Sequence, residues 1–121
     1  MSLKDTCVCA WEAFPVTISS GASLTGTINL SGLRLFSIAM PSSWTAANLT
    51  FQMSPDSGTT WVNLRDQSGN EVVAVADASC CVLLTPAQFA SIQYLRIRSG
   101  TAATPVAQAA DRSLQLVLRS V

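Results

Sequence analysis

The clearest pattern of hydrophobic and polar positions lies in residues 49–64 and predicts a β-hairpin. In its first half, Leu49, Phe51 and Met53 alternate with polar residues, and a period of two directs such a set to one face of a strand. Its second half, residues 61–65, is the predicted return strand, and a turn rich in Ser, Asp and Gly joins the two. The hairpin sets the expectation of a β fold.

The turn of this hairpin has the pattern S-x-D-x-G-x-T-W, carried by Ser54, Asp56, Gly58 and Trp61. We expect the Asp56 carboxylate to accept hydrogen bonds from backbone N–H groups just ahead, and Gly58 to adopt a positive φ. Trp61 is expected to fold beneath the turn as its apolar floor. The octapeptide resembles the Asp-box of sialidase propellers and several other β proteins, where it is a structural turn without chemistry. A single copy cannot build a propeller, whose blades repeat, so we assign these residues to structure, against the alternative of a sugar or calcium site.

The remainder of the chain repeats this alternation in short stretches separated by turn signals. In residues 33–40 the apolar phase shifts, which indicates a β-bulge or burial on both faces. Residues 80–84 form a continuous apolar run typical of a buried strand, and Thr85 followed by Pro86 predicts a single helical turn. The other predicted strands are residues 14–19, 27–30, 71–75, 92–98 and 114–118. This pattern predicts an all-β fold, an antiparallel β-sandwich or jelly roll of about eight short strands.

We predict one domain, residues 14–121, preceded by an extended N-terminal arm of residues 1–13. The arm carries Trp11, and Phe14 follows it at the start of the first strand. We expect an arm with exposed aromatic side chains to dock on its own sandwich or on a neighbour. Residues 99–112 form the longest stretch without strand character. Their small side chains would either extend across a neighbouring subunit or form an ordered crossing loop.

Charged residues are scarce: they make up 12% of the chain, the formal net charge is zero and the mean hydropathy is +0.37. Because this charged share is about half the usual one, much of the surface must consist of Ser, Thr, Ala and Gln. Such a surface suits a protein whose faces are covered by neighbours. A nucleic-acid-binding protein would carry a basic excess or stripe. The nearest approach is Tyr94, Arg96 and Arg98 on one face of a strand, which we assign to an exposed or interface face.

No membrane partner is expected either. No apolar run reaches the roughly 20 residues of a membrane span, and the first residues lack the apolar segment of a signal peptide. We therefore expect the protein on the cytosolic side, with its cysteines reduced.

Candidate chemistry is sparse, and we expect neither a catalytic nor a cofactor site. The chain has no histidine, which excludes Ser-His and Cys-His nucleophile arrangements, and most carboxylates fall in turns as backbone acceptors. Trp44 in a loop is the best candidate for stacking on a sugar, with a tryptophan tucked into the end of the sandwich as the alternative. The cysteines lack the C-x₂-C spacing of zinc ligands and are interpreted as small buried hydrophobic side chains; they are Cys7, Cys9, Cys80 and Cys81.

Several stretches resemble small proteins encoded in the structural modules of tailed phages and prophages. They are IAMPSSWTAA at residues 38–47, LTFQ at 49–52 with the turn after it, residues 89–100 with their YLRIR core, and AADR at 109–112. The resemblance implies a non-enzymatic β-sandwich decoration protein that binds the major capsid protein on the phage head, commonly as a homotrimer. It also implies a location in the virion, assembled in the host cytoplasm.

The residues assigned to a candidate interface are Trp11, Phe14, Trp44, Tyr94, Arg96 and Arg98. The alternative function is a carbohydrate-binding or host-recognition module, such as a component of a head fibre or tail.

Overall fold

The computed structural model describes residues 11–120, and side chains from residue 13 onward, as two antiparallel β-sheets and one turn of 3₁₀ helix. The 3₁₀ helix, Pro86–Phe89, has Thr85 in extended conformation before it and proline in its first turn, as the sequence predicts. The strands are β1 Trp11–Ile18, β2 Ile28–Asn29, β3 Arg34–Ala39, β4 Leu49–Ser54, β5 Val62–Asn63, β6 Cys81–Leu83, β7 Tyr94–Ser99 and β8 Arg112–Arg119.

The first sheet has the strand order β1-β8-β3-β6 and the second β2-β7-β4-β5. Their inner faces enclose one hydrophobic core, to which β3, β4, β7 and β8 contribute most of the buried apolar side chains. Phe51 of β4 and Phe89 of the 3₁₀ helix meet edge to face in this core, with ring centroids 5.1 Å apart. Leu95 and Ile97 of β7 are fully buried beside them, as predicted. The predicted all-β antiparallel sandwich is confirmed.

Strand β3 contains the irregularity that its shifted apolar phase predicts. The pairing of β3 with β8 changes register between Leu35 and Ser37, so Phe36 is the extra residue of a β-bulge. The carbonyl of Phe36 accepts a hydrogen bond from Leu84 N–H at 3.0 Å, which ties the bulge to the chain that leaves β6.

The two long sides of the sandwich differ. On one side, β1 of the first sheet is linked to the second sheet by an isolated bridge between Ile18 and Thr25. On the other side, Ala74 pairs with Leu49 at the margin of the second sheet, and residues 75–80 then cross to β6 at the margin of the first. The bridge between the sheets is therefore on the β1 side.

Two predicted boundaries are wrong. Strand β1 begins at Trp11, so residues 11–13 belong to the domain and not to the arm, whose remaining residues lie outside the described part of the chain. Residues 71–75 do not form a strand; they make isolated bridges, Arg65 with Glu71 and Leu49 with Ala74.

The prediction that residues 80–84 form a buried strand is wrong as well. Only Val82 of β6 is buried, while Cys80 and Cys81 are exposed free thiols. The reason is the position of β6 as the edge strand of a sandwich of two layers, where no third layer covers its outward residues. Cys7 and Cys9 lie outside the described residues.

Candidate functional site

The turn between β4 and β5 is built as the sequence predicts. The Ser54 hydroxyl donates to Asp56 Oδ1 at 2.8 Å and accepts from Gly58 N–H at 2.8 Å. Asp56 Oδ1 also accepts from Thr60 N–H at 2.7 Å, and Gly58 has a φ of 97°. Trp61 Nε1–H donates to the Gly58 carbonyl at 3.1 Å, which places the indole beneath the turn. These polar groups are engaged within the turn itself, as expected of a structural element.

The direction in which the pKa of Asp56 is shifted agrees with this structural role. Hydrogen bonds from the side chain and the backbone N–H of Thr60, and from the Ser54 hydroxyl, hold the pKa of Asp56 below its ordinary value of 3.8. A carboxylic acid that donates a proton at neutral pH needs a pKa shifted in the opposite direction. Asp56 is therefore a fixed anionic acceptor of the turn.

The outer face of the second sheet carries Tyr94, Arg96 and Arg98, which alternate with the buried residues of β7. The guanidinium carbon of Arg96 lies 4.2 Å from the centroid of the Trp61 ring, a cation–π contact. Tyr94 and Arg96 are half-buried. The turn and its tryptophan therefore cover part of the face that the sequence predicts to be exposed or at an interface.

Arg98 is the centre of a polar network on the same face. Its Nε–H donates to Thr50 Oγ1 at 3.0 Å, both terminal nitrogens donate to Asn63 Oδ1 at 3.2 Å, and one of them pairs with Glu71 Oε2 at 2.9 Å. Arg98 is only 5% exposed, so the prediction that it lies on an exposed or interface face is wrong. Burying a guanidinium is tolerated where hydrogen-bonding and ionic partners compensate the lost hydration, and the chain that follows β5 supplies Glu71.

The network also fixes the stretch that follows β7. Glu71 Oε2 accepts a second hydrogen bond from Ala102 N–H at 3.0 Å, and the Thr50 hydroxyl donates to the Gly100 carbonyl at 2.6 Å. Sequence reasoning missed Glu71, although it is the only acidic residue between Asp66 and Asp77. Its partner on β7 is distant in sequence, and the spacing of residues gives no signal for such a pair.

Gln108 anchors the other end of this stretch and is 1% exposed. Its Nε2 donates to Thr45 O at 3.0 Å and to Ser99 Oγ at 2.7 Å, and its Oε1 accepts from Thr45 N–H at 2.9 Å and from Arg112 Nε at 3.2 Å. The side-chain amide is thus fully engaged. Residues 99–112 therefore form an ordered crossing loop held to their own domain. The crossing loop leaves small side chains at the surface: Ala102, Ala103, Thr104, Pro105, Ala107, Ala109 and Ala110.

The predicted aromatic candidates separate into different environments. Trp44 is partly buried against the core and its Nε1–H donates to the Ala47 carbonyl at 3.1 Å, which corresponds to the tucked position and not to a sugar-stacking platform. Phe14 on β1 is exposed. The side chain of Trp11 lies outside the described residues.

The described residues hold little else that resembles a reaction centre. An open groove lies between the turn after β5 and the 3₁₀ helix, with Arg65 and Asp66 as its charged residues. In residues 11–120, no three His, Cys, Asp or Glu side chains are grouped so that they could hold a metal ion. The same part of the chain has no helix with the length and apolar character of a membrane span.

The fold and these contacts define an antiparallel β-sandwich in which loops of the same chain bind the polar side chains on the outer face of the second sheet. Comparison with protein-family models, with curated proteins and with solved structures gives no match to this chain. The function is therefore argued from the molecule's own architecture and surface, together with the sequence resemblance.

Proposed function

We propose that this protein is a structural component of a phage virion: a decoration subunit that binds the major capsid protein and stabilises the head. The observation that carries the proposal is the strand order. We interpret the orders β1-β8-β3-β6 and β2-β7-β4-β5 as the two interleaved Greek keys of a jelly roll, an architecture of viral capsid and lectin domains. Fold analogy alone does not assign a function. The more specific proposal of a role on the phage head rests on the sequence resemblance to phage structural proteins.

The low charge of the surface supports the same proposal. Only 12% of the residues are charged, and Arg98 and Glu71 are paired inside the polar network while Arg96 is stacked on Trp61. The cores of protein interfaces are depleted in charged residues. A surface of small and apolar side chains is thus well suited to burial against many identical neighbours.

The surfaces proposed to contact the capsid are Phe14 on β1 and the crossing loop, residues 99–112. Phe14 and seven small side chains of the crossing loop are exposed, and the crossing loop is pre-ordered by Glu71 and Gln108. Docking an ordered loop avoids part of the entropy that binding would otherwise cost. From the sequence resemblance we also expect the free protein to be a homotrimer.

Co-sedimentation with purified expanded capsids tests the proposal. We expect the wild-type protein to sediment with capsids, and Phe14→Lys to weaken this binding because it places a charge in an apolar contact. Gln67→Lys, at an exposed position in the turn after β5, is the matched control and should bind as the wild type does. A protein that remains monomeric at high concentration and does not sediment with capsids contradicts the proposal. Glycan binding that is lost in Trp44→Ala would favour the alternative of a carbohydrate-binding module.

A further inference from the structure

Most of the exposed large hydrophobic side chains lie on one long side of the sandwich. Among the described side chains, five large hydrophobic ones are exposed, and Phe14 is the only one of them on β1. The other four, which we name the apolar margin, are Val62 at 47%, Val73 at 45%, Val75 at 79% and Leu83 at 81% exposure.

The topology places the apolar margin on a single side. Strands β5 and β6 are the last strands of their sheets in the same direction, because the bridge between Ile18 and Thr25 joins the opposite edges. Val73 and Val75 lie on the segment that runs from the margin of the second sheet toward β6. The side that lacks the bridge is therefore also the side with the exposed apolar residues.

Strand β6 adds an open backbone edge to this surface. The Cys80 carbonyl accepts from Met40 N–H at 2.8 Å and Leu84 N–H donates to Phe36 O at 3.0 Å, so the even-numbered residues direct their backbone groups toward β3. By the alternation of an antiparallel ladder, the N–H and C=O groups of Cys81 and Leu83 point away from the sheet.

Edge strands are commonly protected by lysine, proline, a bulge or an inward charge. Strand β1, at the opposite edge of the same sheet, carries Pro15. Strand β6 is Cys-Val-Leu; it is short, which is itself a form of protection, but it carries no lysine, proline or inward charge. An edge with free donors and acceptors and two exposed side chains accepts another extended strand.

We propose that a second copy of this chain docks on the apolar margin, with β6 pairing antiparallel to β6 so that the two first sheets become one continuous sheet. An antiparallel edge is its own complement under a two-fold axis, since each donor then meets an acceptor of the other copy. With the axis at Val82, Cys81 of one copy stands opposite Leu83 of the other.

The charge distribution favours a second copy over a different protein. Residues 72–84 contain a single charged residue, Asp77, so two copies of this segment bring together little like charge. A distinct partner is usually selected by complementary charges, and this segment offers almost none.

This two-fold contact is separate from the three-fold contact expected from the proposed function. A protein that has only the two-fold contact forms dimers, and a protein that has both forms hexamers. The two-fold contact therefore does not depend on capsid binding, and it is tested by measuring the mass of the assembly.

Leu83→Lys tests the contact by sedimentation equilibrium. Leu83 is exposed in the single chain, so the substitution leaves the fold intact, which far-UV circular dichroism checks. We expect the mass of the assembly to be halved, because a lysine on an exposed edge strand opposes its pairing with a second strand, while Gln67→Lys keeps the wild-type mass. A wild-type monomer at high concentration overturns both this inference and the proposed homotrimer. A wild-type trimer whose mass Leu83→Lys does not change overturns this inference alone.

A disulfide cross-link tests the register. In a chain with Cys7, Cys9 and Cys80 replaced by serine, Leu83→Cys places a new thiol opposite Cys81 of the other copy. Directly paired residues have Cα atoms about 5.5 Å apart, within disulfide range. Diamide takes up the two hydrogens of the paired thiols as the S–S bond forms. We expect covalent dimers from this protein, and far fewer of them when Cys81→Ser is added. Equal amounts of dimer with and without Cys81, or no dimer from either protein, would contradict the pairing.

Discussion

Gly100→Ala is expected to reduce the stability of the protein through a backbone contact in the crossing loop. Gly100 follows β7 and begins the crossing loop, with a φ of 91°. A Cβ built there would lie 2.5 Å from the Thr104 carbonyl oxygen and 2.7 Å from Val106 N. Both are backbone atoms, so no side-chain rotation can relieve the contact.

The magnitude follows from two terms. A left-handed conformation costs a residue with a Cβ about 1–2 kcal/mol. Relieving the contact also requires the tight turn to open, which breaks the hydrogen bonds from Thr101 N–H to Thr104 O and from Val106 N–H to Ser99 O. At about 1 kcal/mol for each bond, the total loss in the free energy of unfolding is about 3–4 kcal/mol.

Urea-induced unfolding followed by circular dichroism measures this loss as a lower midpoint at an unchanged slope. The matched control is Gly69→Ala. Gly69 has a φ of 85°, but a Cβ there meets no atom within 4 Å, so only the conformational term of about 1–2 kcal/mol applies. If Gly100→Ala costs no more than Gly69→Ala, the close approach of the backbone in the crossing loop is not real and the reasoning fails.

Two further predictions concern the second sheet. Arg98→Met should reduce the free energy of unfolding by about 3 kcal/mol, because it leaves the Glu71 carboxylate and the Asn63 side chain without their cationic partner. In urea unfolding, the double variant with Glu71→Met should lose less stability than the sum of the two single losses. Asp56→Asn should destabilise the protein at neutral pH and not in strong acid. Because the folded state lowers the pKa of Asp56 below 3.8, its contribution is complete above that value and is lost as the pH falls through the lowered pKa. Unfolding curves for wild type and variant should therefore converge below about pH 3.8, and a constant difference across this window would count against the assigned role.

The hairpin was predictable from sequence because local rules determine it. The period of two fixes which face of β4 packs into the core, and the pattern of Ser54, Asp56 and Gly58 specifies a turn whose hydrogen bonds lie within eight residues. The bulge in β3 and the 3₁₀ helix have local signals of the same kind. These elements need no knowledge of the remaining chain.

The environment of Arg98 was not predictable in this way. Alternation along β7 correctly places Arg98 opposite the buried residues, but it does not reveal that Glu71 and Asn63 cover that face. The same limit applies to Gln108, whose partner Thr45 is 63 residues away. For β6, hydropathy predicts burial, whereas the position of the strand at the edge of the sheet decides exposure.

The polar network has a consequence for how this protein can associate. Because Arg98, Glu71 and Arg96 are held by partners in their own chain, the outer face of the second sheet has little unpaired charge to offer a neighbour. The surfaces that remain are the apolar margin, Phe14 and the crossing loop, which carry apolar side chains and backbone hydrogen-bonding groups. Contacts of this kind depend on buried area and on strand pairing, both of which salt screens little. An assembly built on them gains its specificity from shape and register, and a subunit with zero formal net charge can be packed repeatedly without accumulating repulsion.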